Sequence, residues 1–517
     1  MRSKLLIIIS SFLMLFTASS CSDWLDVNHD PNALEEIPDA KVLLPAVEMG
    51  IANNLMGWEF GFGGGFWVEY WTQSYTASQF KTLCEYLPQE FNTTYQSLMR
   101  EPMTDLKRIK TMTAEDENKG YYFIAEALSI FTWQIITDVW GDMPYTEALR
   151  FEEGISSPKQ DKGEDIYADL MKRVDELLAT DLSKSYVDPT YDYIYGGDLG
   201  AWYAFANSLK LKLMIRLSET SQYNNASVLS FIESADLLTS SAKIPGTVWD
   251  ESMEGKRHPM REFQLGGANY FSTNVIASKN FIDYLSLNND PRLSKLFIGG
   301  TKGAFFGDFD SKKDSDGNGK TDDKETYAKS IFNLDDKDLE KNNLLEVLDL
   351  ILMSDWEVNF YIAEVYARAS QLDKAKDYYE RGVTASLAQH GITSTDIIGA
   401  EGYAAWVNGT VEQNIKQIAM QKWVANANYQ HIESFLERNR TKYPSVNEID
   451  IAANRRVAFD NFPVGDLTIS VKGRALLNGN LPASPLYPSS YMFRNTNAPA
   501  QKANVGEKVW WNLKAGK

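Results

Sequence analysis

The chain has 517 residues, 44% apolar and 23% charged, with 51 Lys and Arg against 70 Asp and Glu for a formal net charge of −19. That balance excludes disorder over the whole chain, and so negative a field repels phosphate, which excludes general nucleic-acid binding. Two cysteines, Cys21 and Cys84, exclude a disulfide scaffold and zinc ribbons.

The N-terminus reads as an address. Arg2 and Lys4 precede a charge-free apolar run from Leu5 to Phe16, followed by Thr17, Ala18, Ser19, Ser20 and Cys21. This is the order of a secretory signal peptide over residues 1–20. The run rises about 18 Å as a helix, too short for a hydrocarbon layer of about 30 Å. Cys21 after Ala-Ser-Ser resembles a bacterial lipobox, with Ala18 where Leu is usual, so Cys21 is the expected lipidation site. Acyl chains there would anchor the protein firmly. The other reading is ordinary signal cleavage with Cys21 left free. Loss of residues 1–20 removes Arg2 and Lys4 and takes the net charge to −21, and lipidation of Cys21 would leave Cys84 without an internal disulfide partner. Ser22 and Asp23 then lead the mature chain, as in acidic signals for surface export and equally in a solvated tether.

Residues 57–75 are dense in aromatics: Trp58, Phe60, Phe62, Phe66, Trp67, Tyr70, Trp71 and Tyr75. A flat ring covers the C–H face of a sugar while nearby amides and carboxylates take its hydroxyls. Trp58, Trp67, Tyr70, Trp71 and Gln73 are therefore the candidate ligand-binding residues. Gly61 and Gly63 to Gly65 would leave an open loop. The competing reading is core packing, because Phe66 and Tyr70 stand four apart, as on a helix.

Helical spacing of apolar residues follows over Glu117–Val139, closed by Gly141 to Pro144, then over Glu164–Ala179, Leu199–Leu217 and Asn274–Leu287. Asp355 to Gly391 reads as a helical pair, turning at Ser370 to Asp373 with Asp373 as N-cap, and it looks like a degenerate tetratricopeptide unit. A last helix is expected over Val411–Glu437. The stretches 219–275, 288–350 and 440–517, rich in Gly, Pro, Asn, Asp and Ser, read as long loops and small elements.

Within them, Asp314, Asp316, Asn318, Lys320, Asp322 and Glu325 stand at positions 1, 3, 5, 7, 9 and 12 of an EF-hand-like loop, with Gly319 at position 6. Lys320 would offer its backbone carbonyl and Glu325 both carboxylate oxygens. Structural calcium is the expected cofactor; a solvated acidic turn is the other reading. Gly319-Lys320-Thr321 also mimics a phosphate loop, but Asp314 stands where that loop needs its first Gly. No His-Glu-x-x-His or Gly-x-Ser-x-Gly motif occurs, and the four His are scattered. The abundant carboxylates leave a glycosidase pair open.

Taken in order, Trp24 to Asn32, Asp138 to Ala148, Trp202 to Leu213, Asn289-Asp-Pro-Arg292, Phe360 to Glu364, Tyr378 to Gly382, Ile418 to Ala425 and Arg440 to Pro444 resemble the SusD/RagB family of outer-membrane nutrient-binding lipoproteins, in its divergent second branch. The tail departs: Leu481 to Pro488 lacks the Arg and Glu usual there. The resemblance implies an all-α dominated fold, a tetratricopeptide-like superhelix with long irregular loops. It implies one domain over 21–517, with the helical scaffold mainly in 40–218 and 350–440 and ligand-face inserts in 219–349 and 441–517. Asp138 and Trp140 then read as helix cap and core. The early aromatic loop and an insert carrying Tyr270, Phe271, Phe305, Phe306 and Phe309 would line the site.

By the same resemblance the protein is not an enzyme. The resemblance implies a lipid-anchored, surface-exposed outer-membrane protein that binds oligosaccharide and passes it to a SusC-like TonB-dependent transporter. Peptide or another nutrient as cargo, a helical-repeat assembly scaffold, and a surface glycoside hydrolase are the alternatives.

Overall fold

The computed structural model describes residues 39–517 apart from 76, 268, 309–313, 315, 324–325, 335–340 and 342–348. The signal peptide, Cys21, the Trp24–Asn32 motif, Phe309 and Glu325 lie outside the described residues.

Apolar spacing sets the main helices. α1 (Leu44–Leu55) leads to the aromatic stretch; α2 (Asn92–Arg100) and α3 (Pro102–Thr113) follow. α4 (Gly120–Trp140) is buried around nearly its whole circumference, the signature of a central helix. It stops at Gly141, whose φ of +84° suits glycine. α5 (Gly163–Leu178) turns Ile166, Leu170, Val174 and Leu177 inward and its charges outward. α6 (Leu199–Arg216) starts where the Asp198 carboxylate accepts from the amides of Gly200 and Ala201. The shorter α7 (Asn225–Ile232) and α8 (Lys279–Leu287) come next.

The expected helical hairpin is present as α9 (Asp355–Arg368) and α10 (Leu372–Gln389). An added Cβ at Gly382 would lie 2.7 Å from the Phe360 ring, so glycine lets α10 approach α9 closely. The α10 N-cap is Gln371, not Asp373; Asp373 sits in the first turn, where its charge favours the helix dipole. Consecutive antiparallel helices around α4 and α9 form the all-α, tetratricopeptide-like scaffold.

Two expected helices are divided. Over Asn274–Leu287, Val275–Ala277 forms β3, paired antiparallel with β1 (Trp71–Gln73), and separates the short helix Tyr270–Asn274 from α8. Over Val411–Glu437, helix α11 (Val411–Ala425) ends and α12 begins at His431. The break is tertiary in origin. Asn426 Oδ1 accepts from Trp356 Nε1 at 3.0 Å, and Gln430 bonds to Ser354 and Glu357 at the start of α9. Asn428 turns the chain at φ +70°. α12 (His431–Thr441) starts after this turn as a separate helix, buried along its whole length.

The remaining strands form three small two-stranded ribbons: β2 (Ala242–Ile244) with β6 (Leu350–Met353), β4 (Phe297–Gly299) with β5 (Ala328–Ser330), and β7 (Val446–Asn447) parallel to β8 (Leu467–Thr468). Among the described residues no helix is long and apolar enough to cross a membrane.

A chain of buried ion pairs ties five helices together. Arg216 reaches Asp138, Glu433 and Glu437 at 2.8, 2.6 and 2.8 Å. Lys212 bridges Glu357 and Glu433 at 2.7 and 2.8 Å. Lys422 takes Glu437 at 3.0 Å, and Arg440 takes Glu364 with both Nη atoms at 2.7 Å. Asp138 is thus a buried ion-pair partner rather than a cap, while Trp140 is core, as expected.

Candidate functional site

The aromatic stretch is helical, not an open loop. Trp58–Phe62 makes a π-helical turn and Gly63–Trp67 an α-helical one. The glycines serve close packing. An added Cβ at Gly64 would sit 2.6 Å from the backbone carbonyl of His431, and one at Gly65 2.7 Å from His431 Nδ1. His431 Nε2 accepts from the Asn428 amide at 2.8 Å, so Nδ1 carries the proton and donates to the Gly61 carbonyl at 2.7 Å. Burial pushes its pKa down to about 4, which keeps this neutral tautomer.

This packing takes four of the five candidates inside. Trp67 stacks on Phe91 and packs against Phe435 of α12, with Nε1 donating to the Leu83 carbonyl at 3.3 Å. Tyr70 donates to the Trp423 carbonyl at 2.5 Å and meets Ser434 Oγ at 2.6 Å. Trp71 lies edge-on to His431 and Phe271. Gln73 accepts from the Phe80 amide at 2.7 Å and donates to the Ser74 carbonyl and Asn274 Oδ1. All four are buried, and the polar atoms of Trp67, Tyr70 and Gln73 are engaged, so an exposed platform of Trp67, Tyr70, Trp71 and Gln73 is not what these positions build. Glu59 is also committed, accepting the amides of Thr93 and Thr94 at the start of α2.

Trp58 differs. It is half-buried at the rim of the same cluster. Its ring centroid lies 4.9 Å from Tyr270, 5.1 Å from Phe80, 5.2 Å from Phe62 and 5.4 Å from Phe263. Tyr270 and Phe263 are likewise half-buried, while Phe80 and Phe62 form the floor. The β1–β3 ribbon brings this about, since it carries the insert that holds Phe263 and Tyr270 back onto the early stretch. Exposed Gln79, Ser272 and Thr273 stand on the segments flanking Phe80 and Tyr270. Phe271, Phe305 and Phe306 of the insert are buried. Phe263 and Phe80 escaped the sequence reading. Phe263 stands in a stretch read as loop, and nothing local marks either as a neighbour of Trp58.

In the acidic loop, Asp314 accepts the amides of Asn318 and Gly319, both at 2.8 Å, and Asp316 accepts that of Asn318 at 3.1 Å. Asn318 Oδ1 accepts the Lys320 amide at 2.8 Å. Asp322 turns away, to Lys302 Nζ at 2.5 Å and the Tyr327 hydroxyl at 2.7 Å. Among the described residues no three His, Cys, Asp or Glu side chains gather as a metal site; Glu325 falls outside them.

The geometry defines a helical-repeat scaffold with a half-exposed aromatic cluster where an insert meets the first helices. Residues 31–460 match the SusD-like family described as starch-binding and associating with the outer membrane, and the chain belongs to that family. Its fold is similar to that of a chitin-binding protein, at 20% identity over 92% of this chain and 100% of that one, with a TM-score of 0.68. It is also similar to a chitin-binding SusD homologue from Flavobacterium johnsoniae (17% identity, 92% and 99% covered, TM-score 0.69) and to a SusD homologue from Bacteroides uniformis (20%, 91% and 99%, 0.65). No curated protein matches the chain.

Proposed function

We propose that the protein is a lipid-anchored, cell-surface binding protein that holds oligosaccharide on the Trp58 cluster and passes it to a SusC-like TonB-dependent outer-membrane transporter. The observation that carries this reading is the half-buried set Trp58, Phe263 and Tyr270 on a floor of Phe62 and Phe80. An aromatic surface with a polar rim suits the apolar face of a sugar ring. Family membership and the names of the chitin-binding proteins of similar fold support the cargo class. The lipobox-like Cys21 supports the anchor. Calorimetric titration with chitohexaose and maltohexaose is expected to give saturable binding to one of them. Trp58→Ala should weaken it about tenfold, or ~1.4 kcal/mol, in a chain that stays folded but melts at a lower temperature, because the ring also packs on Phe62 and Phe80. Equal affinity in the variant, or no binding of either sugar by the wild type, contradicts the reading.

Calcium in the 314–325 loop belongs to the same proposal. Asp314, Asp316 and Asn318 keep oxygen lone pairs beyond those that shape the loop, and position 9 of such loops often coordinates through water, which suits an Asp322 held by Lys302. Calcium at about 1 mM, the range of extracellular sites, is expected to raise the melting temperature of the wild type but not of Asp314→Ala. Equal behaviour of the two would leave the loop a plain turn.

A further inference from the structure

Among the described residues, surface cavities of about 430, 390 and 310 Å³ lie away from the Trp58 cluster. The first sits between α3, α4 and α5. Its cations are already matched: Lys110 and Arg173 bind Glu126, and Lys107 donates to the Leu149 carbonyl.

The cavity of about 310 Å³ is of another kind. It opens between α8, the 403–409 loop and the first turns of α11. Three tyrosines line it, with Asn408, Gln413, Gln417 and Gln421. Lys416 is the single charged side chain of its lining. The rings of Tyr284 and Tyr403, both half-buried, meet at 84° with centroids 5.8 Å apart and make a corner. The corner is held stiffly. The Tyr403 hydroxyl donates to Asp290 at 2.5 Å and accepts from Gln421 at 3.1 Å. The buried Arg292 clamps both Asp290 and Gln421, at 2.7 and 2.8 Å. Tyr379 donates to the Ala404 carbonyl at 2.7 Å. Gln417 spans the loop, accepting the Val407 amide at 2.9 Å and donating to the Val407 carbonyl at 2.8 Å. Asn408 and Lys416 stand exposed at the mouth, and the Asn408 amide oxygen accepts from Trp406 Nε1 at 2.8 Å.

We infer that this corner is a second saccharide site, for a neutral sugar unit, separate from the Trp58 cluster. The inference rests on the reading of the protein as a glycan binder and extends it to a surface that shares no residue with the first. The volume is at the lower end of ligand pockets, ~300–1,000 Å³. Two aromatic faces at a right angle offer one surface to a C–H face and another to a ring edge. Amides surround them, with one cation and no carboxylate in the lining. Such a lining selects neither strong anions nor cations and favours a ligand whose rim is hydroxyl or acetamido. Locked side chains lose little freedom on binding, which favours affinity. Two sites on one scaffold would hold separate stretches of one long glycan and raise avidity.

The test is calorimetric titration of the full chain with chitohexaose and maltohexaose, using wild type, Trp58→Ala, the double variant Asn408→Ala/Lys416→Ala, and all three changes together. Asn408 and Lys416 are exposed, so the double variant should melt as the wild type does; Tyr284→Phe, which keeps the ring, is the second probe. The expected result is residual sugar binding in Trp58→Ala that falls about fivefold or more when the corner is also changed, and a smaller loss in Tyr284→Phe. If Trp58→Ala abolishes all binding and the corner variants match the wild type, the second site is overturned while the first stands. If the wild type binds neither sugar, both are overturned.

Discussion

Glu69 is fully buried, held by the Thr468 amide at 2.7 Å, Asn280 Nδ2 at 2.5 Å and Ser278 Oγ at 3.4 Å. Burial outweighs these bonds and pushes its pKa up to about 8. The folded chain therefore keeps this proton to about pH 8, while the unfolded chain releases it near 4.5. Its contribution is complete below pH 4.5 and is lost as pH rises toward 8, at up to ~1.4 kcal/mol per unit. Denaturant unfolding at pH 5 and pH 8 should show a smaller fall in stability for Glu69→Gln than for the wild type. An equal fall would mean that the carboxyl is ionised in the fold. The spacing of Phe66 and Tyr70 offers core packing as one reading of the stretch, but neither the burial of Glu69 nor which of Trp67, Tyr70 and Trp71 go inside is legible in the sequence. Their neighbours Phe435, Trp423 and Thr468 lie over 340 residues away. Composition marks the aromatic excess; only the tertiary contacts separate core from rim.

Helices were the most legible level, because apolar spacing is local. α4, α5, α6, α9 and α10 follow it within a few residues. The break between α11 and α12 does not, since it is made by Trp356, Ser354 and Glu357 on another helix. The glycines of Gly63–Trp67 likewise read as freedom and turn out to be proximity. Gly64→Ala tests that. In an isolated helix alanine would gain about 1 kcal/mol over glycine. Here its Cβ would stand 2.6 Å from the His431 carbonyl, and the backbone shift should cost ~1–3 kcal/mol. A lower unfolding free energy in denaturant is the expected outcome; a gain would show that the two helices have room between them.

Across the whole molecule, much of the family resemblance falls on residues that join helices. Asp138, Glu364 and Arg440 belong to the central ion-pair chain, and Asp290 with Arg292 clamps Gln421 of α11. Burying such charges is costly, and leaving one unpaired costs ~3–5 kcal/mol. These motifs are therefore legible as fold and silent about cargo. The ligand-facing surfaces are assembled instead from single residues of distant segments, Trp58 with Phe263 and Tyr270, and Tyr284 with Tyr403. No spacing rule links them. The central claim, that the half-buried cluster around Trp58 receives a sugar, is met most directly by a crystal structure grown with the better-binding hexasaccharide. The account predicts a sugar ring stacked on Trp58, in contact with Phe263 or Tyr270; a saturating sugar bound with that cluster bare would contradict it.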